Sequence, residues 1–171
     1  MATQKATFAA GCFWGVEAEF RMVPGVLATE VGYTGGDTID PTYEEVSSHT
    51  TGHAESVEVD FDPARVTYEA LVDRFWQIHD PTQLNRQGMD IGNQYRSVIF
   101  THDDEQADIA KKSLERAQSS HSRPIVTEIV PAGTFYRAED YHQQYLENRG
   151  LASCAIPAPA NRSSEIASRG T

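Results

Sequence analysis

The 171 residues contain only two cysteines, and one of them, Cys12, stands in "AAGCFWGVE" between a glycine and two aromatic residues. The run "KATFAAG" before it reads as a short strand. "FWGVEAEFRM" after it has helical spacing, with Phe13, Val16, Phe20 and Val23 on one stripe. A cysteine at that junction lies at a helix N-terminus, where unpaired amides and the helix dipole stabilise a thiolate, the nucleophilic form. The plainer reading is a small buried hydrophobe, the usual fate of a reduced cysteine. Glu55 is the second residue of interest. Strand alternation in "AESVEVDF" puts it on the face of Val57, Val59 and Phe61. A carboxyl at the mouth of an apolar face loses water, so its pKa should rise and it can act as a general acid. At a strand end it can equally reach solvent. Tyr43 and Tyr95 lie in long polar stretches, and their hydroxyls can donate to an oxygen in an apolar pocket. Phe13 and Trp14 complete the set. Each aromatic alone reads as core; their company with a thiol and an acid favours a site.

The elements that must position these residues follow from periodicity. "VLATEVGY" is a second strand. Thr34 to Gly52 is a long polar stretch, which inside a compact domain is usually functional or disordered. "TYEALVDRFWQIH" is a helix with Tyr68, Leu71, Val72, Phe75 and Ile78 on one face, ended before Pro81. A second polar loop runs from Asp80 to Tyr95, followed by the strand "RSVIFT". Asp103, Asp104 and Glu105 load the first turn of another helix, whose apolar face is Ala107, Ala110, Leu114 and Ala117. "PIVTEIV" reads as a strand and "AEDYHQQYLE" as a last helix. The order is β-α-β-β-α-β, then α-β-α. Its first six elements match a split βαβ, ferredoxin-like core with helices on one side of a mixed or antiparallel sheet, an α+β fold. Strand order stays open. Residues 1–150 form one domain, and 151–171, rich in Ala, Pro, Ser and Arg, form a flexible tail carrying the second cysteine, Cys154.

Composition excludes some partners. With 14 Lys plus Arg against 25 Asp plus Glu, the net charge is −11, unsuited to nucleic acid or an anionic membrane. No stretch approaches the roughly 20 apolar residues that span a bilayer, and the apolar run before Cys12 is too short for a secretory h-region of about 7–15 residues. "FAAGC" looks like a lipoprotein cleavage box but has no such region ahead of it. Two cysteines are no disulfide framework, so a reducing, cytoplasmic compartment is expected. His49 and His53 are four apart, yet "SSHTTGH" has no helical stripe and no HExxH, so no metal is expected. "GYTGGD" lacks the GK[ST] ending of a phosphate loop. Two rival functions use parts of the set. A thiol peroxidase needs the cysteines without the acid. An aromatic-cage module for a methylated cation needs Phe13, Trp14, Tyr43 and Tyr95 without Cys12.

Six blocks in order, "GCFWGVE", "GYTGG", "PTYEEV", "GHAESVEVDFDP", "HDPTQLNRQGMDIGNQYRS" and "AEDYHQQYL", resemble peptide methionine sulfoxide reductase of the A type, from about Phe8 to Leu146. The resemblance implies a two-layer α/β sandwich that reduces the S epimer of methionine sulfoxide, free or in proteins. It puts the nucleophile on Cys12, the acid on Glu55 and the oxygen-binding tyrosines on Tyr43 and Tyr95. A supporting aspartate falls on Asp90, and the wall for the substrate methyl on Phe13 and Trp14. Resolving cysteines in the family lie near the C-terminus, which implies a Cys12–Cys154 disulfide. It further implies no cofactor beyond an external dithiol, thioredoxin, with oxidised proteins, peptides or free methionine sulfoxide as substrates. A monomer is the default for one small domain.

Overall fold

The computed structural model describes residues 3–150. Its frame is a mixed six-stranded sheet in the order β7-β6-β1-β3-β2-β8. The strands are β1 (Gln4–Ala10), β2 (Val26–Thr34), β3 (Ala54–Phe61), β6 (Ser97–Thr101), β7 (Glu128–Pro131) and β8 (Tyr136–Arg137). All neighbours are antiparallel except β6 and β7. The four central strands run β6-β1-β3-β2, the split βαβ order, with α1 (Phe13–Arg21) and α3 (Tyr68–Gln77) as the crossovers.

Side chains on one face of the sheet, Ala6, Phe8 and Ala10 of β1, Val57, Val59 and Phe61 of β3, and Val31 and Tyr33 of β2, form one core with Phe20 of α1 and Leu71 and Phe75 of α3. The ring of Phe8 stacks on those of Phe20 and Phe75 at 4.8 and 5.4 Å. α4 (Asp104–Gln118) packs beside α3; Asp103 caps it by accepting the Gln106 amide at 2.7 Å. The opposite face is thinner: Ala9, Ala54, Val98 and Phe100 are buried there against Val130 and Ala132. The result is the two-layer sandwich.

Three departures from the sequence expectation concern the site. The first polar stretch holds a short helix, α2 (Tyr43–Ser47), started by a capping box between Thr42 and Glu45. The second holds a hairpin, β4 (Arg86–Gln87) with β5 (Asp90–Ile91), and a 3₁₀ turn at Asn93–Tyr95. The expected last helix is broken. A 3₁₀ turn at Asp140–His142 gives way to extended Gln143 and left-handed Gln144 (φ 50°) before the four-residue α5 (Tyr145–Asn148). The cause is buried polar backbone. Val31 of β2 donates its amide to Gln143 Oε1, and Gln143 Nε2 donates to the carbonyls of Val31 and Ala138. The Gln144 amide donates at 2.7 Å to Glu17, a carboxylate only 1% exposed. Satisfying those groups outweighs a helical turn.

His79, just past α3, anchors the sheet end beside Cys12. Its Nδ1–H donates to the Phe75 carbonyl at 2.7 Å, and Nε2 accepts from Ser97 Oγ at 2.8 Å. Ser97 is in register with Ala10 of β1. Burial lowers the His79 pKa from 6.5 to about 4. The unfolded chain therefore binds a proton first as pH falls, so this stabilisation is complete above 6.5 and shrinks toward 4. Between roughly pH 7.5 and pH 5 the loss should be about 2 kcal/mol. Urea titrations should show it in the native chain and a flatter difference in His79→Gln.

Candidate active site

Cys12 is the N-cap of α1, with φ −57° and ψ 121°, and its side chain makes no capping hydrogen bond. It is half-buried and so reachable from solvent. Gly11 makes the turn possible. Its φ is 104°, and a Cβ there would come within 2.9 Å of Gln87 Cβ. Glu55, 2% exposed, lies at the start of β3 opposite Tyr33. Its Oε1 accepts the backbone amide of Phe13 at 3.2 Å, so the carboxyl is bonded to the residue that follows Cys12.

The two tyrosines arrive from separate segments. Tyr43 opens α2, and Tyr95 closes the 3₁₀ turn after the β4–β5 hairpin. Both hydroxyl pKa values are raised, first by burial and next by the charge of Glu55, with Cys12 also acting on each. Both therefore remain protonated donors at neutral pH. Two brackets hold them. Glu139 accepts the Tyr43 amide at 3.0 Å and the Tyr33 hydroxyl at 2.8 Å; these bonds outweigh its burial and hold its pKa below the ordinary value. His49, at φ 68° just beyond α2, is 2.7 Å from the Oε1 of Gln94, the neighbour of Tyr95. Gly92 lies under that pair: a Cβ on it would be 2.6 Å from the imidazole.

Phe13 is 1% exposed and packs on Tyr33 and His142, with ring centroids 5.7 and 5.2 Å apart. Trp14 is half-buried, stacks on Tyr145 at 3.7 Å and donates its Nε1–H to His142 Nδ1 at 2.9 Å. That bond leaves the proton of neutral His142 on Nε2, an atom buried without a hydrogen-bond partner among the described residues. Burial lowers the His142 pKa and keeps the ring neutral. His142 also lies 4.5 Å from the Tyr43 ring. Sequence reasoning missed both His142 and Glu139, having placed them in a regular helix. The available signal was "AEDYHQQYL" itself, where polar residues occupy positions that an apolar stripe would need.

Asp90 begins β5 on the exposed rim; burial raises its pKa, and its charge acts on Tyr95. Cys154 lies outside the described residues. His53 accepts the Gly36 amide at Nδ1 and donates from Nε2 to the Thr38 carbonyl, so both ring nitrogens are used in tying loops together. Among the described residues no group of three or more His, Cys, Asp or Glu side chains could hold a metal ion, and no helix is long and apolar enough to cross a membrane.

The chemistry open to a thiol beside a buried carboxyl and two protonated phenols is that of a cysteine-dependent oxidoreductase on an α/β sandwich. The family is narrower than that class. A family model described as peptide methionine sulfoxide reductase matches residues 4–169, and the chain belongs to this family; its activity is the reduction of methionine sulfoxide. The chain is 66% identical over 153 residues to the peptide methionine sulfoxide reductase MsrA of Geobacter sulfurreducens, covering 88% of this chain and 94% of that one. It is similar in structure to reduced Mxr1 of Saccharomyces cerevisiae (TM-score 0.84, 36% identity, 91% of each chain). Methionine sulfoxide reductase A of Corynebacterium diphtheriae gives a TM-score of 0.80 at 40% identity, over 91% of this chain and 84% of that one. Mxr1 in complex with Trx2 gives 0.61 at 28% identity, over 84% of each.

Proposed function

We propose that the chain reduces the S epimer of methionine sulfoxide with Cys12 as nucleophile and Glu55 as general acid, and that the product disulfide is cleared by a thioredoxin. The bond from the Phe13 amide to Glu55 carries the reading, because it ties this carboxyl to the residue that directly follows Cys12. The Cys12 thiolate attacks the electrophilic sulfoxide sulfur. The oxygen is a poor leaving group until it is protonated, and Glu55, 2% exposed and bonded to the residue after Cys12, is the carboxyl assigned to deliver that proton. Tyr43 and Tyr95 donate to the same oxygen and orient it; Asp90 supports Tyr95. Phe13 and Trp14, backed by His142, wall the substrate methyl. Hydrogen bonds to the oxygen discriminate sulfoxide from methionine, whereas a methylene-sized apolar difference is worth only about 1–3 kcal/mol. The attack forms an S–S bond, and the protonated oxygen leaves as water. Water then adds to Cys12 Sγ as the S–S bond breaks, so methionine departs and Cys12 is left as a sulfenic acid, the first step of thiol oxidation.

Cys154 then attacks the sulfenic acid, giving a Cys12–Cys154 disulfide and water, and an external dithiol reduces that disulfide. The solved complex of a relative with Trx2 supports thioredoxin as the reductant. Residues 1–150 act as the catalytic domain, 151–171 carry the resolving thiol, and no resident cofactor is required. A reducing, cytoplasmic setting suits a thiol kept for chemistry.

The test is thioredoxin-coupled turnover on separated R and S epimers of a methionine sulfoxide peptide, with methionine quantified. Consumption of the S epimer alone is expected; equal consumption of both refutes the epimer assignment. In the same assay Cys154→Ser should reduce about one equivalent at near-normal rate and then stall. Unchanged multiple turnover would remove Cys154 from the cycle.

A further inference from the structure

Met89 is 96% exposed, more than any other large apolar side chain among the described residues. It shares with Gly88 the two-residue turn between β4 and β5, where Gly88 takes φ 60° and a Cβ on Gly88 would meet nothing within 4 Å. Leu84 and Ile91 on the same loop are 68% and 69% exposed. This hairpin is part of the active-site rim: Gln87 packs on Gly11 beside Cys12, and Asp90 follows Met89 directly. The chain thus holds out a thioether, on a tip that needs no unfolding to be reached, next to a site that reduces sulfoxides.

We propose that Met89 is an oxidation site of this chain and that its S-sulfoxide is a substrate for a second copy of the same protein. The second half rests on the function proposed above. Oxidation needs a peroxide: the thioether sulfur attacks the O–O bond, an S–O bond forms, the O–O bond breaks and water leaves. Sulfur loses two electrons and the peroxide gains them. In repair, Cys12 of the second copy attacks the Met89 sulfur and the S–O bond breaks. Two electrons come from the external dithiol, which ends as a disulfide with release of water. The transfer is between copies because a two-residue turn points Met89 outward into solvent. Met22 provides the internal contrast. It is 61% exposed but is the C-cap of α1, with its amide bonded to the Glu19 carbonyl at 3.3 Å. Presenting it to another copy means unwinding the end of the helix that begins at Cys12.

The recipient for the test is Cys12→Ser, which cannot repair itself. It is oxidised with hydrogen peroxide, freed of peroxide and given a trace of the native chain with thioredoxin, its reductase and NADPH. Free N-acetyl-methionine-S-sulfoxide is included in the same tube, and peptides are followed by mass spectrometry. The expected result is that Met89 gains one oxygen and that about half of it is removed, the S-epimer share, while Met22 changes more slowly. Met89 that resists peroxide overturns the oxidation site. Met89 sulfoxide that persists while the free S-sulfoxide is consumed overturns repair between copies and leaves the proposed function standing. If the free S-sulfoxide also persists, the function itself is refuted and the repair step falls with it.

Discussion

Cys12→Ser should abolish methionine release from the S-sulfoxide, a loss on the order of 10⁵-fold or more. A serine hydroxyl ionises far less readily than a thiol, and its oxygen is a poor nucleophile toward sulfoxide sulfur. The substitution also leaves a clean control. Cys12 is the N-cap of α1 and makes no capping bond with its side chain, whereas serine is among the preferred N-caps. The variant should therefore fold and melt no lower than the native chain. Loss of turnover in a chain of undiminished thermal stability isolates the chemistry. Multiple turnover by the serine variant would mean that the sulfur at position 12 is not the attacking atom. An aromatic-cage binding module would keep its ligand in the same variant.

Glu55→Gln is expected to lower kcat by about 10²–10⁴, the range for removing a general acid. Glutamine is nearly isosteric, and its carbonyl oxygen can still accept the Phe13 amide, so the contact that places the side chain survives. What is lost is the transferable proton. Alkylation of Cys12 by iodoacetamide requires no proton donor and should change far less than turnover. Equal losses in the two rates would show that the substitution disturbed the thiol. Turnover close to native at neutral pH would dismiss Glu55 as the acid.

The serine experiment depends on a local feature and the glutamine experiment on a distant one, and that division runs through the molecule. Period-two alternation in Val57, Val59 and Phe61, and the stripe of Phe13, Val16 and Phe20, were legible because they record which side of one element faces the core. The place of Cys12 at a strand-to-helix junction and of Glu55 on the apolar face of β3 are also local facts. So was the βαββαβ order; that these elements assemble as β6-β1-β3-β2 was not, because alternation marks a buried face without naming the neighbouring strand.

What the sequence determined by itself was the class of element in the main strands and helices and, through six ordered blocks, the family. What only the tertiary structure decided is how buried polar groups far apart in the chain satisfy one another. Trp14 meets His142, Glu139 joins Tyr33 to Tyr43, Glu17 takes the amide of Gln144, and His49 meets Gln94. Leaving such a group unpaired in the interior costs about 1–3 kcal/mol, enough to override the helical preference of "AEDYHQQYLE". No window along the chain contains both partners of the first three contacts, so the break in that helix and the backing of the site by His142 came only with the fold.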